Sequence, residues 1–397
     1  MVARRERLGA RAAGVVGAAL ALLAITAVAS APHRSVGVEA APTGEPAVPS
    51  APDDSAAEAT PQPPQRLSET GLYRPDGSID PRNRPFVPQY PLWSDGAGKS
   101  RWIRLPEGTT IDVSDFDAWR FPTGTTWWKE FAWHGRRVET RMIERGASGW
   151  LFATYVWNEN QTEAWLAPAA GIPGAFEIVP GKRHSIPGIA DCQTCHGSSP
   201  GTVLGFSALQ LSDDRDPLAP HTESLGPGAV TLRTLVDEGL LSPPRPELVL
   251  RPPRIRQSDP VARAAMGYLS ANCGGCHNAR GPLARLGFSL LHDAAGAPEA
   301  PEPALATAVD LPGRYLVPGV PSADSRLVAV GAPQRSALLY RMQSRRPSSQ
   351  MPPLGSVIAD EEAIALVRRW IESLAALPAP DRVISSAPTG NPTGAGS

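Results

Sequence analysis

The residues best suited to chemistry are four cysteines and two histidines in two short runs. Residues 192–196 read Cys-Gln-Thr-Cys-His and residues 273–277 read Cys-Gly-Gly-Cys-His; together they use all 4 Cys of the chain. Two thiols three residues apart on one turn face the same way. Each can form a thioether with one vinyl group of a haem, and the next residue then offers its imidazole to the iron as proximal ligand. Histidine is only 7 of 397 residues, so a His directly after both Cys pairs is not a product of composition. A redox dithiol needs no His there, and tandem zinc clusters would want four ligands per site. The spacing therefore predicts two covalently attached haem c groups, one on Cys192, Cys195 and His196 and one on Cys273, Cys276 and His277.

A haem iron also has a second axial position. For the second motif the candidate is Met351, in Gln350-Met351-Pro352-Pro353. Two prolines stiffen that loop and remove backbone donors, which suits a thioether held at fixed reach. Met342, on a predicted helix from Ser336 with Leu338 and Leu339, reads as core instead. No comparable loop follows the first motif. His221, 25 residues beyond His196 in Ala219-Pro220-His221, is the favoured sixth ligand there. His184 competes from the other side, His134 and Met142 would need the preceding region to cap the haem, and an open position is the remaining alternative.

The chain that must position these groups has a formal net charge of −1, with 44 Pro and 37 Gly. The balance suggests no nucleic-acid partner, and the Pro and Gly content implies much loop. Residues 1–31 combine Arg4, Arg5, Arg7 and Arg11 with an apolar run and Ala29-Ser30-Ala31. This is the pattern of a cleaved export signal, or of a membrane tether if it is not cleaved. Residues 32–66 read as a disordered linker of Ala, Pro, Ser and Thr. Residues 67–180 hold nine of the ten Trp. Val138, Thr140 and Met142 alternate there with Arg137, Glu139 and Arg141. Gly146-Ala147-Ser148-Gly149 marks a hairpin turn, and the strand after it is apolar on both faces. A sandwich-like all-β domain is expected, with its Trp mostly core. Residues 181–257 form the first haem-binding segment, with little regular structure beyond a helix over 231–238.

Residues 258–377 read as a helical haem domain. Asp259 caps a helix that opens with Pro260, and Asp360 caps a last helix with Ile364, Val367, Ile371 and Leu374 on one stripe. Gly267 is expected to let the two helices cross closely, near Tyr268 and Trp370. The tail 378–397 reads as disordered. The fold class is thus α+β multidomain, a β domain followed by a helical haem domain.

From Gly267 to His277, through the Met351-Pro352-Pro353 loop and on to the helix with Trp370, the chain resembles class I cytochrome c domains. Over residues 70–375 it also resembles a group of exported bacterial di-haem c-type cytochromes. Those carry a Trp-rich β segment with Trp-x-Phe-Pro-x-Gly-Thr, here Trp119 to Thr125. The resemblance implies electron transfer in the periplasm with redox partner proteins such as a dehydrogenase or a terminal oxidase. Two further readings stand beside it. One is a peroxidase-like enzyme with an open first haem. The other is a binding module in which the Trp-rich domain holds a carbohydrate or docks a partner.

Overall fold

A computed structural model describes residues 62–376. The predicted export signal, most of the linker and the tail lie outside the described residues. The described chain belongs to one compact unit.

Among the described residues ten strands and seven α-helices follow in order: β1 (Arg84–Pro85), β2 (Gly98–Arg104), β3 (Ile111–Asp112), β4 (Thr126–Trp133), β5 (Arg136–Gly146), β6 (Gly149–Trp157), β7 (Ala164–Leu166), β8 (Ile172–Val179), β9 (Lys182–Ile186), α1 (Ile189–His196), α2 (Leu232–Asp237), β10 (Leu241–Ser242), α3 (Glu247–Leu250), α4 (Pro260–Asn272), α5 (Pro303–Ala308), α6 (Ala337–Gln343) and α7 (Glu361–Ser373). The architecture is α+β. An antiparallel sheet of order β1-β2-β4-β5-β6-β7 dominates the first part, with a β8–β9 hairpin and a parallel β3–β10 pair beside it. The turn after β5 is the expected one, with Gly146 opposite Gly149.

Side chains alternate across a strand, so the register assigns the faces. One face carries Trp128, Met142, Ala153 and Tyr155, covered by Leu67 and Leu72. The opposite face has apolar clusters at its two ends, one around Ile103, Trp127 and Phe206 and one around Phe131, Trp133, Ile178 and Ile186. Its cover is a mixed layer of the β8–β9 hairpin, α1 and the β3–β10 segment, where the sequence suggests a second full sheet. The hairpin also carries the β region past residue 180, to Ile186. The strand β6 is covered on both faces as expected, but it lies next to the edge strand β7 and not at the sheet centre. Trp119, Trp127, Trp128 and Trp133 are buried, whereas Trp165 is exposed.

The helices form where their caps predict. Asp259 and Asp360 accept from the Ala262 and Ala363 amides, and Thr231 caps α2. The apolar stripe of α7 packs on α4. Gly267 has a different neighbour from the one expected. A Cβ there would come within 2.1 Å of the Tyr90 ring. The glycine admits an aromatic side chain from the β region, and Tyr90 is fixed in place by donating its hydroxyl to Asp216 at 2.9 Å. Tyr90, Leu209 and Ala219 thus share one core with α4 and α7. Asp95 reinforces this junction by accepting from the Val357 and Ile358 amides at 2.9 and 2.8 Å.

Candidate haem-attachment sites

The first motif lies on α1. Cys192, Cys195 and His196 stand at i, i+3 and i+4, one face of a helix. Phe152 of β6 meets the His196 ring at 5.4 Å. The His196 Nδ1 lies 2.7 Å from the Thr202 carbonyl oxygen. A carbonyl can only accept, so Nδ1 carries the proton and Nε2 keeps its lone pair. Burial pushes the imidazole down to about 4, which keeps it neutral. A bare, neutral nitrogen oriented through the other ring N–H is the arrangement of a metal-ligating histidine.

The second motif follows α4 in a tight turn. The Cys276 and His277 amides both donate to the Cys273 carbonyl, at 3.1 and 2.8 Å. The His277 ring stacks on Phe288 at 4.7 Å. Its Nδ1 is buried and has no hydrogen-bond partner. Burial, then the Arg341 charge, holds this imidazole below its ordinary range.

All four cysteines are free thiols. Burial pushes Cys195 up to about 11 and Cys273 up to about 12. Among the described residues no group of three or more His, Cys, Asp or Glu could enclose a metal ion. A structural zinc needs four such ligands. A haem brings four porphyrin nitrogens of its own and asks the protein for one or two. The thiols and imidazoles present are the groups that a thioether-linked haem would take.

The fold brings the two motifs, some eighty positions apart in sequence, side by side. Their clasp is Asn278, the buried residue directly after His277. Its Nδ2 donates to the Ser198 carbonyl at 3.1 Å and to the Gly274 and Gly275 carbonyls at 3.0 and 2.9 Å. Its Oδ1 accepts from Arg280 and Gly281 at 3.0 and 2.7 Å. The Ser198 hydroxyl also reaches the Cys276 thiol. A narrow cleft, partly open to solvent and lined by Ser199, Leu204, Gly275 and Leu291, runs beside this contact. Sequence reasoning missed Asn278, because nothing in its neighbours marks it. Compared with models of protein families, with curated proteins and with solved structures, the chain finds no match.

The axial candidates divide. Met351 is half-buried, and its amide donates to the Arg341 carbonyl at 3.0 Å. Arg341, whose carbonyl accepts from Met351, also places its charge within range of His277. Met342 is core, as expected. His221 is placed differently from the sequence reading. Its Nε2 donates to Asp360, 2.9 and 3.0 Å from the two carboxylate oxygens, and its Nδ1 lies 3.4 Å from Glu362. Trp93 packs on the ring at 4.8 Å. With both nitrogens facing carboxylates, neither is left bare for an iron, and the side chain serves the start of α7. His184 donates through Nε2 to the buried Glu139 at 2.9 Å. The His134 Nε2 donates to the Ile178 carbonyl at 2.9 Å. Met142 lies on the sheet face opposite Phe152, and hence opposite His196.

Proposed function

We propose that this chain is an exported di-haem c-type cytochrome that passes electrons between redox partner proteins. The observation that carries the reading is that the two Cys-x-x-Cys-His motifs, which hold every cysteine, are folded against each other, with a bare imidazole nitrogen on His196. Cys192, Cys195 and His196 would hold one haem. Cys273, Cys276, His277 and Met351 would hold the other, with α4 and α7 framing a cytochrome c-type haem domain. Bound there, the haems would supply iron that cycles between ferrous and ferric states. The chain's own part is orientation and environment. The Thr202 carbonyl fixes the His196 tautomer and makes its free nitrogen more basic. Phe152 and Phe288 pack their rings on the two imidazoles. A thioether ligand from Met351 would favour ferrous iron at the second site. A periplasmic dehydrogenase as donor and a terminal oxidase as acceptor suit such a carrier. The location follows from the expected export signal; among the described residues no helix is long and apolar enough to cross a membrane.

The test is to express the full chain with its export segment in a host that matures c-type cytochromes. Pyridine haemochrome should give two haems per polypeptide, and haem stain should survive a denaturing gel. Replacing Cys192 and Cys195 by Ala together should halve the count; a wild-type count of one or none refutes the reading.

A specific observation favours a second reading of the first haem. His221, His184, His134 and Met142 are all engaged elsewhere, which suits an open sixth position able to bind a small oxidant such as peroxide. A high-spin ferric signal and rapid cyanide binding would select this enzyme-like reading over the carrier.

A further inference from the structure

The sheet face that carries Phe152 also carries an unusual row of charge. Arg101 of β2 lies opposite Lys129 of β4, and Lys129 lies opposite Arg141 of β5. Three cations thus stand side by side on neighbouring strands, about 5 Å apart. Like charges in direct cross-strand register destabilise a sheet. The row continues to Thr154 of β6, two residues from Phe152 and on the same face. It runs between the two apolar clusters of that face, beneath α1. Lys99, two residues before Arg101 on β2 and on the same face, adds a fourth cation and donates to the Leu92 carbonyl at 2.6 Å.

The neutralisation of this row is incomplete. Arg101 is held by Glu223 through two bonds of 2.7 and 3.1 Å. Arg141 reaches Glu139, but Glu139 also accepts from His184. Lys129 is in the middle. The structure gives its amine the face of Phe131 at 4.8 Å and, among the described residues, no hydrogen bond or ion pair. The Arg141 guanidinium also lies over that ring, 4.3 Å from its centre, and its Nε is buried without a partner among the described residues. Four basic side chains therefore face Glu223 and Glu139, with Asp360 also acting on Lys99, and Lys129 in the middle is left with the weakest neutralisation. The row also feels the first motif. The charges of Lys129 and Arg141 both act on His196, and that of Arg141 on Cys192 and Cys195. Burial and then its cationic neighbours hold the Lys129 amine well below the ordinary lysine range. A bound anion would relieve this.

We propose that the row Arg101–Lys129–Arg141 seats the propionate carboxylates of the haem attached at Cys192 and Cys195, with Lys129 as their principal partner. This rests on the di-haem reading and adds to it a residue role that neither Cys-x-x-Cys-His motif contains. A haem carries two propionates, which would bring negative charge to a row that is short of it. Their approach would convert a repulsive row into a set of charge-assisted hydrogen bonds.

The experiment uses the full-length, haem-loaded protein and the variants Lys129→Met and Lys129→Arg. Haemochrome counts come first. A wild type without two haems removes the reading on which the proposal rests, and is thereby distinguished from failure of the proposal itself. With both haems present, Lys129→Met should shift the ferrous/ferric equilibrium of the first haem about tenfold toward ferric, a drop of about 59 mV for one electron. Lys129→Arg should restore it, and the second haem should not move. An unchanged first potential overturns the proposal. A change of the first haem from low to high spin in Lys129→Met also overturns it, because the amine would then be an iron ligand. A wild-type potential that follows added phosphate at constant ionic strength points to a free-anion site and overturns it as well. If Lys129→Met does not fold, the wild type decides. In the ferrous state, nuclear Overhauser contacts should link the Lys129 side chain to the propionate methylenes of the first haem, and their absence refutes the seat.

Discussion

Replacing Asn278 tests whether the two motifs are truly clasped. Its amide nitrogen serves three carbonyls, and its oxygen serves two backbone amides. Two of those contacts, to Ser198 and Gly274, are fully buried. In Asn278→Ala these carbonyls lose their partner inside the protein, at about 1–3 kcal/mol for each buried group left unmet. The expected loss is about 3 kcal/mol. Asn278→Asp sharpens the test. It keeps the size and the acceptor for Gly281, but turns a charged oxygen toward three carbonyl oxygens with no hydrogen to give. It should cost at least as much as Ala. Equilibrium urea unfolding of the loaded protein, compared through midpoints at unchanged slope, reads both values. A loss under about 1 kcal/mol in Asn278→Ala, or an Asp variant as stable as the wild type, would show that packing rather than the hydrogen-bond set joins the motifs.

Three other outcomes follow from the same structure. Gly267→Ala should lose about 1–3 kcal/mol by overpacking against Tyr90, and a Tyr90→Ala background should recover most of that loss in thermal melts. The His221 imidazole is held above its ordinary value of 6.5, chiefly by its hydrogen bond to Asp360. Its stabilising contribution is therefore full below pH 6.5 and is lost as pH rises through the higher folded value. Melting curves of wild type and His221→Gln should differ most in mild acid and converge above neutrality, and the spin state of the first haem should be the same in both. Met351→Ala should abolish the weak far-red sulfur-to-iron band and lower the potential of the second haem, whereas Met342→Ala should cost stability and leave the band intact.

What was legible in the sequence was local. The caps Asp259 and Asp360, the Gly146–Gly149 turn and the two Cys-x-x-Cys-His runs each declare themselves within a few residues. What was not legible depends on partners far along the chain. His221 reads as a free imidazole until α7 arrives 139 residues later to supply Asp360. Gly267 reads as a helix-crossing glycine until Tyr90 fills the space. The alternation of β5 separates Arg137, Glu139 and Arg141 from the apolar face, but only the cover laid down by β8, β9 and α1 buries that charge. One signal was available. The next strand, β6, is apolar on both faces, so its paired neighbour had to be covered on both faces too.

The junction of Tyr90, Trp93 and Asp95 with the helical part has a consequence for how such a chain can be recombined. Trp93 donates from its ring to the Ile358 carbonyl at 3.0 Å, and its amide donates to Asn272 at 2.7 Å. The helical part is therefore completed by side chains made 179 to 265 residues earlier. Cut at the proline-rich stretch near residue 250, the later fragment would expose Gly267, the Asn272 side chain and the 357–358 backbone with nothing to meet them. The familiar-looking C-terminal region is thus not a portable module carrying an optional β attachment. Truncation or fusion of this protein has to keep Tyr90, Trp93 and Asp95 together with the helices whose core they complete.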